Sequence, residues 1–547
     1  MKRANMTAAA TPRRGVWASL KGLFRREEGS VAVQFALLAL PLCILAFGLV
    51  DVNRATVAKQ QLQDALDAAT LMAARTTTAT TDTALYNVGN PSLQANLSTL
   101  NGVTLQASTF HLNGPYVDST ATVKVVPVVA NLWMSGDMTI SATSQVVRTM
   151  DDLEVALVLD NTGSMASSLG SGGSKISALQ TAAVSLVDTL ASAAANSSDP
   201  NAVKYAVVPF SMTVNIGSTY QGQNWLTGVL PSSTGYGGLS HDVFDTANTN
   251  RFTLLSQMGL SWGGCVESRP APYDVQDTAP STGTPDTLFV PFFAPDEPDS
   301  SKAKNTSGGY YSSQNNWITN DKSSSSSWVT RLTAVAKYAS SNKSNITSTG
   351  KTAGNGPNEG CATAPLLRLT TSSTTTKSTL NSMVATGNTN VAMGLMWGWH
   401  VLSPNAPFAD GVAYGTANHD KIVILLTDGD NTNDTYSNDY ENAIYTGVGY
   451  IRQGRLVDTN GNALTTSSTS TDRMNAIDGR ELALCANMKA KNIIIYSIGV
   501  GVSTHSKTLL QTCASGTDHY YDVTDSSQLT SVFNAIAGSI QNLRLSK

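Results

Sequence analysis

The chain has 547 residues, 41% hydrophobic and 14% charged, with a formal net charge of −4 and a pI near 5.9. A chain of this length holds two or three domains and a large core. With no net basic field, the charge balance argues against electrostatic capture of nucleic acid.

The first segment is basic. Lys2, Arg3, Arg13, Arg14, Lys21, Arg25 and Arg26 precede the uncharged stretch 29–50, which contains VAVQFALLALPLCILAFGLV. That run is about long enough to cross a bilayer core as one helix, and the basic flank belongs in the cytoplasm. The expectation is a cytoplasmic segment 1–28, a transmembrane helix 29–50 kinked at Pro41, and everything after Asp51 outside the inner membrane of a bacterium. A cleaved signal peptide is the alternative. Ala46-Phe47-Gly48 offers a small-x-small cleavage site, but the apolar run exceeds a usual signal core.

Residues 51–150 divide in two. DVNRATVAKQQLQDALDAATLMAAR puts Val57, Leu62, Leu66, Ala69 and Met72 near one face of a helix, which predicts a stalk leaving the membrane. From about Asn90 to Arg148, alternating stretches such as STATVKVVPVV and MTISATSQVV predict a small β-rich unit.

From Asp152 strands and helices alternate. LEVALVLD, VKYAVVPF, KIVILLTD, NIIIYSIGV and HYYDVTD read as strands. KISALQTAAVSLVDTLASAAA, the segment 473–491 and SSQLTSVFNAIAGSIQNL read as helices. The fold class is therefore α/β, a doubly wound, mostly parallel sheet over 152–542. Its alternation is broken by a Ser/Thr/Gly/Asn-rich inserted subdomain, 212–374, and by a shorter polar excursion near 430–472.

Of five cysteines, Cys43 lies in the membrane run. Cys265, Cys361, Cys485 and Cys513 remain, an even number in a compartment that permits disulfides. Three pairings are possible. Cys265 with Cys361 and Cys485 with Cys513 are favoured because each pair falls within one segment, and buried free thiols are the other reading.

In an open parallel sheet, ligands gather at the carboxyl ends of the strands. Asp160, Thr162 and Ser164 follow LEVALVLD, Asp428 ends KIVILLTD, and Thr389 precedes an apolar helix. All five offer oxygen, and none offers nitrogen or sulfur. Hard oxygen donors select Mg²⁺, Ca²⁺ or Mn²⁺, with two carboxylates balancing a divalent charge. An exchangeable position on such an ion suits a carboxylate supplied by another protein. Taken singly, these residues also serve as helix caps and turns, and capping is the alternative job for Thr389.

The order Asp160-Asn161-Thr162-Gly163-Ser164, then Thr389 before a helix, then Asp428 after an apolar strand, resembles the metal-ion-dependent adhesion site (MIDAS) of von Willebrand factor type A domains, a Rossmann-like fold. The family commonly has Ser where Thr162 stands. REEGSVAVQFALLALPLCILAFGLVDVNR resembles the N-terminal segment of TadE/TadG-like proteins, components of tight-adherence (Flp) pilus assembly. TadG-type members carry an A-type domain behind that segment, and GCVESR, GCATAPLL and LLQTCASG are similar to stretches of that group. Pilin-like relatives are cut after a Gly that precedes a Glu in the apolar run, whereas the run after Gly29 carries Gln34 instead, which argues against peptidase processing.

The resemblance implies a membrane-anchored, non-enzymatic, periplasmically exposed assembly or adhesion protein. It would bind an acidic residue of a pilus or envelope partner through a divalent cation, Mg²⁺ first among them. A surface-displayed adhesin for a host or matrix ligand is the alternative. Gly259-Leu260-Ser261-Trp262-Gly263 also satisfies G-x-S-x-G, the nucleophile elbow of serine hydrolases, which needs a strand before it and a helix after it.

Overall fold

In a computed structural model the described residues run from Glu27 to Leu543, apart from 77–78, 99, 101, 128–136, 149–151, 172, 196–198, 230–242, 245–248, 319–320, 322–323 and 340–355. The basic flank 1–26 lies outside the described residues. The chain divides into two compact units, Met1–Arg148 and Thr149–Lys547.

The first unit begins with one continuous helix, α1 (Glu27–Arg75), with Pro41 inside it. Its first half shows why the apolar run was written: Phe35, Leu37, Leu38, Leu42, Leu45 and Leu49 are all exposed. From Ala58 onward the helix is not a free stalk. Leu62, Leu66, Ala69 and Ala73 are fully buried, whereas Val57 and Met72, expected on that face, are exposed. The buried stripe instead runs through Ala58, Ala65 and Ala73, small residues that let α1 lie close to its neighbours.

A second helix, α2 (Asp82–Leu97), contains Pro91 and was not expected; it takes residues from Asn90 that the alternation had assigned to β structure. Thr81 caps it by accepting from Ala84 N at 3.2 Å. The β-rich part is a three-stranded antiparallel sheet of β1 (Val103–Asn113), β2 (Tyr116–Val125) and β3 (Met138–Val147), in that order. Phe110, Val117, Ala121 and Val123 turn inward to meet the helices, and the hydroxyl pairs Thr109–Thr120 and Thr122–Ser141 are exposed.

The second unit is built on a mixed, mostly parallel sheet. Its parallel part has the order β8-β7-β6-β4-β5, with β4 (Asp152–Asp160), β5 (Val203–Phe210), β6 (His419–Thr427), β7 (Ile493–Val500) and β8 (Tyr520–Val523). Alternate β4 residues feed opposite cores. Leu153, Val155, Leu157 and Leu159 pack with α3 (Lys175–Ala195), α4 (Ser373–Asn381) and α8 (Leu529–Leu543). Ala156 and Val158 pack with α5 (Val391–Leu402), α6 (Ser470–Lys489) and α7 (Thr504–Cys513). This is why the strands read as unbroken apolar runs.

Helix α5 lies especially close to the sheet. A Cβ on Gly394 would stand 2.5 Å from the Phe210 ring, and one on Gly398 would stand 2.4 Å from Val158 Cγ2. Helix α3 is apolar and long enough to pass for a membrane span. Leu179, Ala182, Leu186, Val187 and Leu190 are nonetheless fully buried in the sheet's core, so its hydrophobicity is that of a core helix.

The long insertion shares the core on the α5 side rather than keeping a separate one: Trp225, Phe289, Trp317 and Trp328 join Phe210, Trp397 and Trp399 there. It extends the sheet beyond β5 with the short antiparallel strands Val214–Asn215, Cys265–Glu267 and Val290–Pro291, and Leu367–Thr370 pairs antiparallel with β5. The two polar stretches close on each other. Glu267, in the first, takes Arg251 Nη1 at 2.5 Å, and from the second Arg455 Nη1 at 2.5 Å and Tyr445 Oη at 2.6 Å. Two guanidiniums and a phenol satisfy one buried carboxylate, so charge is paired where it cannot be solvated.

Both favoured disulfides are present, Cys265–Cys361 and Cys485–Cys513, and Cys43 is free and exposed. The second ties α6 to α7 across 28 residues. Replacing Cys485 and Cys513 together with Ser should cost about 3.6 kcal/mol in urea unfolding followed by tryptophan fluorescence, the loop-closure value for that span; an unchanged midpoint would contradict it.

Glu297 is fully buried; burial first, then the charge of Asp439, pushes its carboxyl up from 4.5 to about 8. The folded state thus favours the protonated form. Its contribution is complete below the ordinary value and is lost as pH rises toward about 8. Glu297→Gln, which cannot ionise, should lose less melting temperature than the parent between pH 6 and pH 8.5, each read by circular dichroism.

Candidate metal centre

Strand register builds the floor of the site. Leu159 pairs with Leu426 in the parallel β4/β6 ladder, which places Asp160 beside Thr427 and just short of Asp428. The Thr427 hydroxyl donates to Asp160 Oδ2 at 2.7 Å, and Thr162 N donates to Asp160 Oδ1 at 2.8 Å. The chain then turns through the short helix Gly163–Ala166. Thr162 begins that helix without a side-chain capping bond, and its hydroxyl lies 3.0 Å from Ser164 Oγ. Ser164 Oγ donates to Asp428 Oδ1 at 2.6 Å, joining loops 264 residues apart.

Thr389 reaches the same rim through its backbone. Its segment crosses the first loop, where Gly163 N donates to Gly387 O at 2.9 Å and Thr386 N to Asn161 O at 2.7 Å. It also meets the loop after β6: Thr389 N donates to Thr432 Oγ1 at 3.0 Å, and Thr432 N to Thr389 O at 2.9 Å. Helix α5 is capped by Asn390, whose Oδ1 accepts from Met393 N at 3.1 Å, so capping is not the job of Thr389.

Two residues that sequence reasoning missed complete the arrangement. Lys175, the first residue of α3, donates from Nζ to Asp428 Oδ2 at 2.8 Å. Asn431 accepts from Val391 N at 2.8 Å and donates to Asp478 Oδ1 and Glu481 Oε2, both at 2.8 Å, anchoring the loop after β6 to α5 and α6. Nothing local marks either one. A lysine at the end of a Gly/Ser-rich loop, where α3 begins, and an asparagine in a polar stretch acquire partners only through the fold.

The floor is buried and its rim is exposed. Asp160, Thr162 and Asp428 are buried, whereas Gly163, Ser164, Val384 and Gly387 are exposed. Burial first and the negative charge of Asp428 second raise the Asp160 carboxyl to about 6. Two carboxylates that repel across a buried floor, with hydroxyls beside them, form a donor set that fits a hard divalent cation. Among the described residues, no group of three or more His, Cys, Asp or Glu gathers as a metal cluster. An ion here would draw on hydroxyl oxygens, which disfavours zinc.

The surroundings of Ser261 are the reverse of a nucleophile elbow. The short helix Arg251–Gln257 comes before it and the strand Cys265–Glu267 after it.

Comparison with known proteins bears mainly on the first unit. Residues 29–71 match the family model described as TadE-like protein. No curated protein matches the chain. Among solved structures, the pilus adhesin SpaC from Lactobacillus rhamnosus GG is similar at 12% identity and a TM-score of 0.31, over 81% of this chain and 35% of that one. The chain thus spans about a third of that adhesin. The PilB minor pilin from Streptococcus sanguinis gives the same identity and TM-score, over 81% of this chain and 79% of its own. The von Willebrand factor domain of the pilus tip protein Mfa5 from Porphyromonas gingivalis gives 9% identity and a TM-score of 0.31, over 72% of this chain and 97% of its own. At these values no residue role is carried across.

Proposed function

We propose that the unit Thr149–Lys547 is a von Willebrand factor type A domain and that Asp160, Thr162, Ser164, Thr389 and Asp428 are its metal-ion-dependent adhesion site. The protein is a TadG-like component of tight-adherence (Flp) pilus assembly or adhesion. It is anchored in the bacterial inner membrane by one helix, with a cytoplasmic N-terminus and its bulk in the periplasm. The observation that carries the reading is the hydrogen-bonded chain from Asp160 through Thr162 and Ser164 to Asp428, at the carboxyl ends of adjacent parallel strands. The match of residues 29–71 to a TadE-like model supports the pilus context.

Asp160 and Asp428 would hold the ion's charge at the floor, and Thr162, Ser164 and Thr389 would supply neutral oxygens. A bound Mg²⁺, or Ca²⁺ or Mn²⁺ in its place, supplies an electrophilic position for an outside carboxylate. Uncharged hydroxyl donors leave more of the ion's charge for that carboxylate than further acidic side chains would. The chemistry is binding, with a protein partner that presents an acidic residue.

Asp160→Ala with Asp428→Ala should abolish Mg²⁺-dependent capture of envelope partners in pull-downs while circular dichroism remains unchanged; capture that persists in chelator would reject the metal reading. For topology, proteinase K should degrade the second unit in spheroplasts but spare it in intact cells. Degradation in intact cells would favour surface display instead.

A further inference from the structure

We infer that Lys175 is a tethered competitor for the cation position: its ammonium compensates Asp428 in the metal-free site and thereby sets how tightly a divalent ion is held. This rests on the metal reading above. Lys175 Nζ lies 2.8 Å from Asp428 Oδ2, with the lysine side chain 11% exposed and the aspartate side chain 0%. Ser164 Oγ engages the other carboxylate oxygen at 2.6 Å. Among the described residues, no other ion pair reaches Asp160 or Asp428.

The location of the lysine is not explained by its helix. A cation at the first position of α3 sits at the positive end of the helix dipole, and no acidic residue occupies that first turn. The long side chain is nearly buried as well, a loss of freedom and hydration for which Asp428 is the compensation.

With Lys175 in place the floor carries two carboxylates and one ammonium, so an incoming divalent ion meets half the negative charge it would otherwise find. Either the ammonium swings out through its exposed edge, or it stays on Oδ2 and repels the ion. Both routes weaken metal binding, and both disappear with the charge. Partner capture is thereby confined to compartments or moments in which the divalent ion is abundant.

The test uses the full chain in detergent and Mn²⁺, whose free concentration is read by electron paramagnetic resonance. Lys175→Met should bind Mn²⁺ about ten-fold more tightly than the parent, within the range usual for two coupled ligands. In chelator it should melt lower, because Asp428 is left buried without a counter-charge, and Mn²⁺ should recover the loss. Lys175→Arg should keep the parental values, and Lys175→Gln serves as a second neutral variant should the methionine form fold poorly. Equal or weaker Mn²⁺ affinity in the neutral variants overturns the competitor role. If the parent binds and Asp428→Asn does not, that result leaves the metal reading standing. If neither the parent nor the neutral variants bind Mn²⁺, both readings fall.

Discussion

The second unit is organised around the cost of burying two carboxylates side by side. Asp160 and Asp428 lie at the ends of neighbouring parallel strands, out of water, and an uncompensated buried charge is worth several kcal/mol of destabilisation. Each oxygen is therefore met by a donor: Thr162 N and Thr427 Oγ1 on Asp160, Ser164 Oγ and Lys175 Nζ on Asp428. The hydroxyl-rich loops around the site follow from that requirement. Any side chain placed there without a donor would leave one carboxylate oxygen exposed to low dielectric and nothing else.

The same need spreads outward. The loop after β6 cannot hold Asp428 in place unless it is itself held, and Asn431 does this by bridging the backbone of α5 to Asp478 and Glu481 on α6. Asp430 next to it accepts from Ser503 Oγ at 2.6 Å at the start of α7. Three helices are thus bonded to one loop, and the disulfide between α6 and α7 constrains the same group of elements. A binding site whose ligands come from distant parts of the chain gains its rigidity from such cross-ties.

The inserted residues follow a different logic. They carry few regular elements, so they cannot satisfy their backbones by helix and strand alone. Side chains take up part of that backbone, as Arg251 Nη1 does on Pro291 O at 2.9 Å and Arg269 Nη1 on Thr278 O at 2.7 Å, while buried aromatic clusters and the Arg251–Glu267–Arg455 ion pairs hold the segment together. Met212 O accepts from Gly447 N, and Gly447 O accepts from Ser268 N, so the two polar stretches are sewn together by main chain as well. What reads along the chain as two interruptions is one wall against the α5 side of the sheet.

Much of this was legible in order. The apolar runs identified β4 to β7 and α3 because a strand or helix buried among others needs hydrophobic residues at a period that shows in the sequence itself. The oxygen-bearing residues at the ends of β4 and β6 were visible for the same reason: they break those runs abruptly. Helix α2 was hidden because Pro91 lies within it and its buried side chains, Leu85, Leu93 and Leu97, are widely spaced; they pack against α1 and the three-stranded sheet. The closeness of Asp160 to Asp428, the ammonium of Lys175 between α3 and β6, and the union of the two insertions were decided only by tertiary structure. They depend on which strands become neighbours and in what register, and that is settled by the summed packing of the whole core rather than by the residues that meet there.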